Sequence, residues 1–499
     1  MHVRSLLACS VVPLLGACSF LLDFNGLQGG KKPSAEAGAG SGGNAGDAGS
    51  DGNLTTAGEA GAGGAACDLA ACDDADPCTV DTCDASAKDG CAHTLAPGLG
   101  LEKSFDPILA DTQIRVTMTA GSDAFYFSNL SINGTTPDVE LFRLGEDDDN
   151  YASLKKLSSF AAFAGAPVSV AGLAVDTSGA LGETLNGFVA VNDAKGVPAV
   201  YRITADSKQQ FAVPTKVGDS YDSSFVLNYP VARALNGSVH GAWINADGTI
   251  SVLSPSTATL QKFGVGAPAA GTLTLFGTDT NQPAVVYSGK TSGVLLETAG
   301  SNRTAMPECQ TAAGGYLTMT STGLAGHNGV WFSDWTKYTS GTAGTLTNEG
   351  HLVVCVNGGC VPDTTAKCKA GDDDNLERNV VLESVHVPGD PAEQSYLISV
   401  VPLLDRGADA GTTTASLLGT VTELESPLEK TGTSSAVGSP LTIASQVATS
   451  DALRGPDYPA VAVIAGAQVK VAVAWIQPPA SGSGPDELHL QRYRLCLPQ

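Results

Sequence analysis

Val239-His240-Gly241-Ala242-Trp243-Ile244 runs into Asn245-Ala246-Asp247-Gly248-Thr249 and out again through Ile250-Ser251-Val252-Leu253. Two apolar, β-branched runs flank an Asp-Gly pair, and glycine there accepts the positive φ that a tight hairpin needs. This stretch reads as a β-hairpin. Working outward, the same grammar recurs: Ile114–Met118, Ala124–Phe127 and Val139–Leu144 on one side, then Val168–Val170, Gly187–Val191 and Ala199–Ile203. On the other side similar groups fall near Leu273–Glu297, Tyr316–Cys355, Val380–Val421 and Val461–Leu495. Helical periodicity rarely lasts more than two turns, so the body reads as mostly β.

About seven units of roughly 45–60 residues make a semi-regular repeat, the mark of a β-propeller. The expectation is therefore a propeller of about seven blades over residues 104–499, with tandem β-sandwiches as the alternative, since short strands at close spacing suit both. A propeller requires Asp111–Leu144 to meet Val461–Leu495 and close the ring.

The N-terminus is organised differently. Arg4 precedes the apolar run Ser5–Ala17, which is too short to span a bilayer and matches a secretory signal. Leu15-Gly16-Ala17-Cys18 resembles the lipobox of bacterial lipoproteins, which implies cleavage after residue 17 and lipidation of Cys18. Ser19 through Gly30 resembles the start of mature lipoproteins of myxobacterial-type bacteria, which implies a site in the cell envelope, at the outer membrane or cell surface. Residues 18–66 then form a tether: Gly29–Ala66 holds 13 glycines, 10 alanines and no aromatic residue. Such a segment cannot bury enough apolar surface to offset its ordering entropy, so disorder is expected, with a reach of about 35 Å. Gly38-Ala39-Gly40-Ser41-Gly42-Gly43 spells G-x-G-x-x-G but has no strand before it or helix after it, so it is no dinucleotide site.

Residues 67–95 carry Cys67, Cys72, Cys78, Cys83 and Cys91. Exported segments this small need disulfides in place of a core, and C-x4-C, C-x5-C, C-x4-C and C-x7-C are not zinc-knuckle spacings. Cys72-Asp73-Asp74-Ala75-Asp76-Pro77-Cys78-Thr79-Val80-Asp81-Thr82-Cys83-Asp84 resembles the Cys-rich modules of exported bacterial proteins written C-D-D-G-x-P-C-T-x-D-x-C-D. Five more cysteines follow: Cys309, Cys355, Cys360, Cys368 and Cys496. An odd number on each side implies one bridge joining module to body, or two free thiols. Cys496 is the expected partner. Cys355–Cys360 is expected as a hairpin.

Chemistry is sparse. The 51 acidic against 27 basic residues give a net charge of −24, which repels nucleic acid and suits a soluble monomer. Histidines form no metal spacing, and nucleophile-elbow and P-loop patterns are absent. No catalytic residue and no cofactor is assigned. Asp73, Asp74 and Asp76 offer hard oxygen ligands, so calcium is the one ion considered. Glu146–Asp149 and Asp372–Asp374 read as exposed acidic loops. Trp331, Asp334 and Trp335 could stack and hydrogen-bond a sugar, or pack between blades. The expected role is a non-enzymatic, membrane-anchored binding protein or scaffold for a protein or glycan. The alternatives are a polysaccharide hydrolase or lyase on a propeller, and a calcium-dependent adhesion module.

Overall fold

The computed structural model describes residues 68–497, less internal segments of which the longest are 110–115, 224–228, 306–314, 324–329, 340–345, 363–374, 388–394, 407–412, 425–433 and 448–455; from 304 to 380 it describes backbone alone. The signal segment, Cys18, the tether and Cys67 lie outside these residues. Among the described residues no helix is long and apolar enough to cross a membrane.

Among the described residues one two-stranded hairpin and seven larger antiparallel sheets make up the fold. The sheets follow one another along the chain as blades. Blade 1 runs from Thr117–Ala120 out to Ala152–Lys156, blade 2 from Gly172–Asp176 to Thr215–Gly218, and blade 3 from Val231–Leu235 to Thr259–Phe263. Blade 4 runs from Ala269–Gly277 to Asn302–Ala305, and blade 5 from Gly315–Gly323 to Gly359–Pro362. In blade 6 the inner strand is broken into Asn375–Glu377 and Val381–His386, and the outer strand into Ser434–Ala436 and Leu441–Val447. Blade 7 is built from Asp457–Ile464, Lys470–Gln477 and Glu487–Cys496. The first strand of each blade packs against the first strand of the next, and that of blade 7 returns to blade 1. The chain is a seven-bladed β-propeller.

Closure has two parts. Phe125, Phe127 and Phe142 of blade 1 interleave with Ile464, Ile476 and Leu490 of blade 7, the meeting that the sequence required. In addition Gly98–Ser104 pairs with Glu487–Cys496, so a strand from the N-terminal side completes the last blade. The ring thus takes in residues ahead of the boundary expected at 104. Val168–Val170, read as a strand, instead lies in the connection between blades 1 and 2; the strand starts at Gly172.

Among the described side chains the core is divided among the contacts between blades 1 and 2, 2 and 3, 3 and 4, 6 and 7, and 7 and 1. Between blades 2 and 3, Phe188 lies over Gly241 and Trp243 over Gly218. A Cβ on Gly241 would come within 2.5 Å of the Phe188 ring, and one on Gly218 within 2.7 Å of Trp243. Each aromatic therefore fills a hole that only glycine leaves open, and burying such a side chain contributes about 1.5–3 kcal/mol.

The hairpins give several of the acidic residues a structural use. Gly248 adopts φ +82°, and Asp247 accepts hydrogen bonds from the Thr249 amide and hydroxyl. Asp176, Asp193 and Asp206 cap their turns in the same manner. These bonds favour the ionised carboxylate, and the hydrogen bonds from Thr249 and from Val197 hold Asp247 and Asp193 below the usual carboxylate range.

Strand direction sorts the connections onto two faces. Because first and third strands run the same way, one face takes the hairpins that follow them, such as 121–123, 146–151 and 465–469. The other takes the turns between second and third strands and the crossovers between blades, such as 245–249 and 157–171.

Candidate functional site

Among the described residues polar chemistry gathers in several places. The first is where the Cys-rich module meets the ring. The module is a short helix, Leu69–Cys72, and a hairpin, Thr79–Cys83 with Cys91–Leu95, cross-linked by Cys72–Cys91. Cys83 is also disulfide-bonded. Cys78 is bonded to Cys496, so the expected bridge between module and body exists. Cys496 ends the third strand of blade 7, which puts the module on the hairpin face. Gly100 lies beneath it: a Cβ there would be 2.2 Å from the Pro77 carbonyl oxygen.

Arg492, Arg494 and Cys496 alternate along that last strand and so share one face. The register between Gly98–Ser104 and this strand shifts at Glu102, leaving that residue as a bulge. Its two carboxylate oxygens accept from Arg492 Nε at 3.0 Å and Arg494 Nε at 3.1 Å. Arg494 Nη1 also donates to Asp76 on the module at 2.9 Å. Arg492 turns to blade 1 and donates to the Asp148 carbonyl at 2.9 Å. Lys470 pairs with Asp147 and donates to the Glu146 carbonyl at 3.1 Å, while Lys103 reaches Asp149 at 3.0 Å. The hydrogen bond from each lysine holds the carboxyl of Asp147 or Asp149 below its ordinary range. The acidic run is exposed at Asp147, Asp148 and Asp149, as its sequence implied, and is in addition tied to blade 7. A cleft of about 450 Å³ remains between module and ring, with Asp73, Gln468 and Leu101 also on its wall. Its cations are already engaged by carboxylates, so it is a neutralised seat rather than an anion site.

The second place is on the module itself. His93 Nδ1 lies 2.7 Å from Asp81 and 3.3 Å from Asp74, each donor within 4.8 Å of the others. The residues considered for calcium do not gather there as a set. Asp74 joins Asp81 and His93, Asp76 is committed to Arg494 and the Cys78 amide, and Asp73 caps the Ala75 amide. Asp74 itself accepts from the Asp76 amide and Thr79, and the first of these lowers its pKa most.

The third place is the central channel. Arg233 on the innermost strand of blade 3 forms a forked pair with Glu383 on the innermost strand of blade 6, at 3.3 and 3.4 Å. Three blades apart in a ring of seven, these strands stand on opposite sides of the axis, so the pair spans the channel. Elsewhere Glu297, on the third strand of blade 4, is 2% exposed and accepts from Tyr287, Arg303 and the Gly264 amide. Burial and Glu297 together push the Tyr287 hydroxyl far up, so it stays protonated and serves as a donor inside the blade.

Trp331, Asp334 and Trp335 fall on the second strand of blade 5, Val330–Thr339, opposite Gly323, Thr320 and Met319. Their side chains lie outside the described residues, as do those of Cys309, Cys355, Cys360 and Cys368; Cys355 stands opposite Cys360 in the expected hairpin register. Sequence reasoning passed over Glu102, Lys470, Arg492 and Arg494. The signal was there, in an Arg-x-Arg-x-Cys alternation at the end of a chain poor in basic residues. Arg233 and Glu383, 150 positions apart, left none.

No protein-family model matches the chain, and no curated protein matches it in sequence. Among solved structures it is similar to BBS1N in complex with ARL6DN, with a TM-score of 0.40 and 10% identity over 80% of this chain and 98% of that one. It is also similar to an alpha-L-arabinanase of Penicillium chrysogenum (TM-score 0.36, 9% identity, covering 78% and 98%) and to the lectin SapL1 (TM-score 0.34, 15% identity, covering 62% and 93%).

Proposed function

We propose that this chain is a non-enzymatic binding or scaffold protein of the bacterial envelope, lipid-anchored at Cys18, whose propeller offers the crossover face to a protein or glycan. The observation that carries the reading is the Cys78–Cys496 bridge. It pins the module to the hairpin face, so crossovers and turns such as 157–171 and 245–249 belong to the face opposite the module. The ion pair across the channel and the engaged cations of the cleft supply support rather than reacting groups. Propellers host many activities, so the reading rests on these sites and not on the fold.

Three measurements test it. Cys18→Ser moves the protein from the membrane to the soluble fraction on cell fractionation; retention in the membrane contradicts the anchor. Incubation of the purified protein with a panel of envelope glycans and extracts recovers a bound partner of unchanged length. Shortened glycan chains or unsaturated uronate ends contradict the non-enzymatic reading and favour the hydrolase or lyase. A rise in melting temperature with millimolar calcium favours the adhesion module.

A further inference from the structure

We propose that the Cys78–Cys496 bridge carries tension from the tether into the third strand of blade 7, bypassing the hydrogen-bonded seam that closes the ring. The inference rests on the reading of the N-terminal segment as a tether, and it asks what a pull on that tether does to the fold.

In blades 1 to 6 every strand is joined to its neighbour by the chain. Blade 7 alone takes its outer strand, Gly98–Ser104, from the far end of the sequence, held there by pairing with Glu487–Cys496. Tension from the N-terminal side enters that strand at Gly98. Without another connection it would load the Gly98–Cys496 end of the ladder first and peel the strand bond by bond. The module stands at that point. Cys78 is bonded to Cys496, and Cys496 is the register partner of Gly98. Force reaching Cys78 therefore draws both strands of the seam from the same end, and neither is displaced along the other.

The noncovalent contacts follow the same route. Ala96 donates its amide to the Cys78 carbonyl at 2.8 Å, closing the module onto the start of the seam. Arg494 joins Asp76 of the module to Glu102 of the outer strand, and Arg492 ties the third strand to blade 1. Pro77 sits against Gly100, where no side chain would fit. Tension that leaves the module is delivered to blades 7 and 1 together.

Single-molecule pulling tests this on the soluble Cys18→Ser chain, so the outcome is independent of membrane attachment. With handles at the two termini, the oxidised protein gives no ring extension, because the bridge shields 418 residues of sequence. Added reductant releases a further length on the order of 1,400 Å, at about 3.3–3.6 Å per residue. Full extension under oxidising conditions overturns the proposal. A second geometry places one handle at the N-terminus and one in a tag inserted after Gly196, on the crossover face. There the oxidised protein ruptures at a higher force than a Cys78→Ser/Cys496→Ser chain, which loses its outer strand as a separate early step. Equal forces and equal step patterns in the two proteins overturn the proposal.

Discussion

Glu102 is held by two guanidinium groups in a place with little water: its side chain is 10% exposed and that of Arg492 is 9% exposed. Taking these charges out of solvent is costly, and the arrangement persists because each carboxylate oxygen has its own donor. Removing the carboxylate leaves Arg492 bonded to the Gly145 and Asp148 carbonyls of blade 1 but to no carboxylate. Glu102→Ala is expected to lower stability by about 3 kcal/mol in denaturant unfolding, since breaking one side of a buried pair leaves a charge uncompensated. A loss below about 1 kcal/mol would mean that water reaches the cleft and solvates the arginines. Histidine adds a pH term. Burial holds the pKa of His240 and His489 below the ordinary 6.5, with Glu487 opposing the shift at His489. Where the folded pKa lies below the unfolded one, the unfolded chain takes up the proton first. The stability from these neutral histidines is therefore complete above pH 6.5 and is lost as pH falls through their folded values. The melting temperature should drop between pH 7.5 and 5.5, and His489→Phe, which keeps a ring against Trp475, should flatten the slope. An unchanged slope in that variant would assign the pH term elsewhere.

At the scale of single elements, much was legible because hairpin chemistry is local. Asp247-Gly248 specified its turn, and the turn set the register Ile244 to Ile250. The strand groups of blades 3, 4 and 7 fall where alternating β-branched residues place them. Val168–Val170 misled because its composition matches a strand; its backbone instead makes the crossover, with Ser169 accepting from the Ala190 amide. The acidic run Glu146–Asp149 is the exposed loop that its charge implied, but charge alone cannot say whether a partner lies opposite, and Lys470 is more than 300 positions away. The same limit hid Arg233 and Glu383. Their side chains are 24% and 23% exposed, so solvent screens the pair. A double-mutant cycle with Arg233→Ala and Glu383→Ala should give a coupling of about 1 kcal/mol that shrinks with added salt. Zero coupling at low salt would remove the pair as a strut across the channel.

For the whole molecule, the fold class was open to reading and the way the ring closes was open only in part. Repetition of short strands implied blades, and an odd cysteine count on each side of the chain implied a bridge between module and body. What no local pattern held was that Gly98–Ser104 belongs to the last blade, because strand pairing across nearly the full chain leaves no trace in either strand alone. The bridge joins these features: it locates the module on the hairpin face and turns a seam into a cross-linked joint. Protease digestion of the non-reduced protein, followed by mass mapping, should recover a peptide pair linking Cys78 to Cys496. Cys496 recovered as a free thiol, or bonded to any other cysteine, would contradict the account.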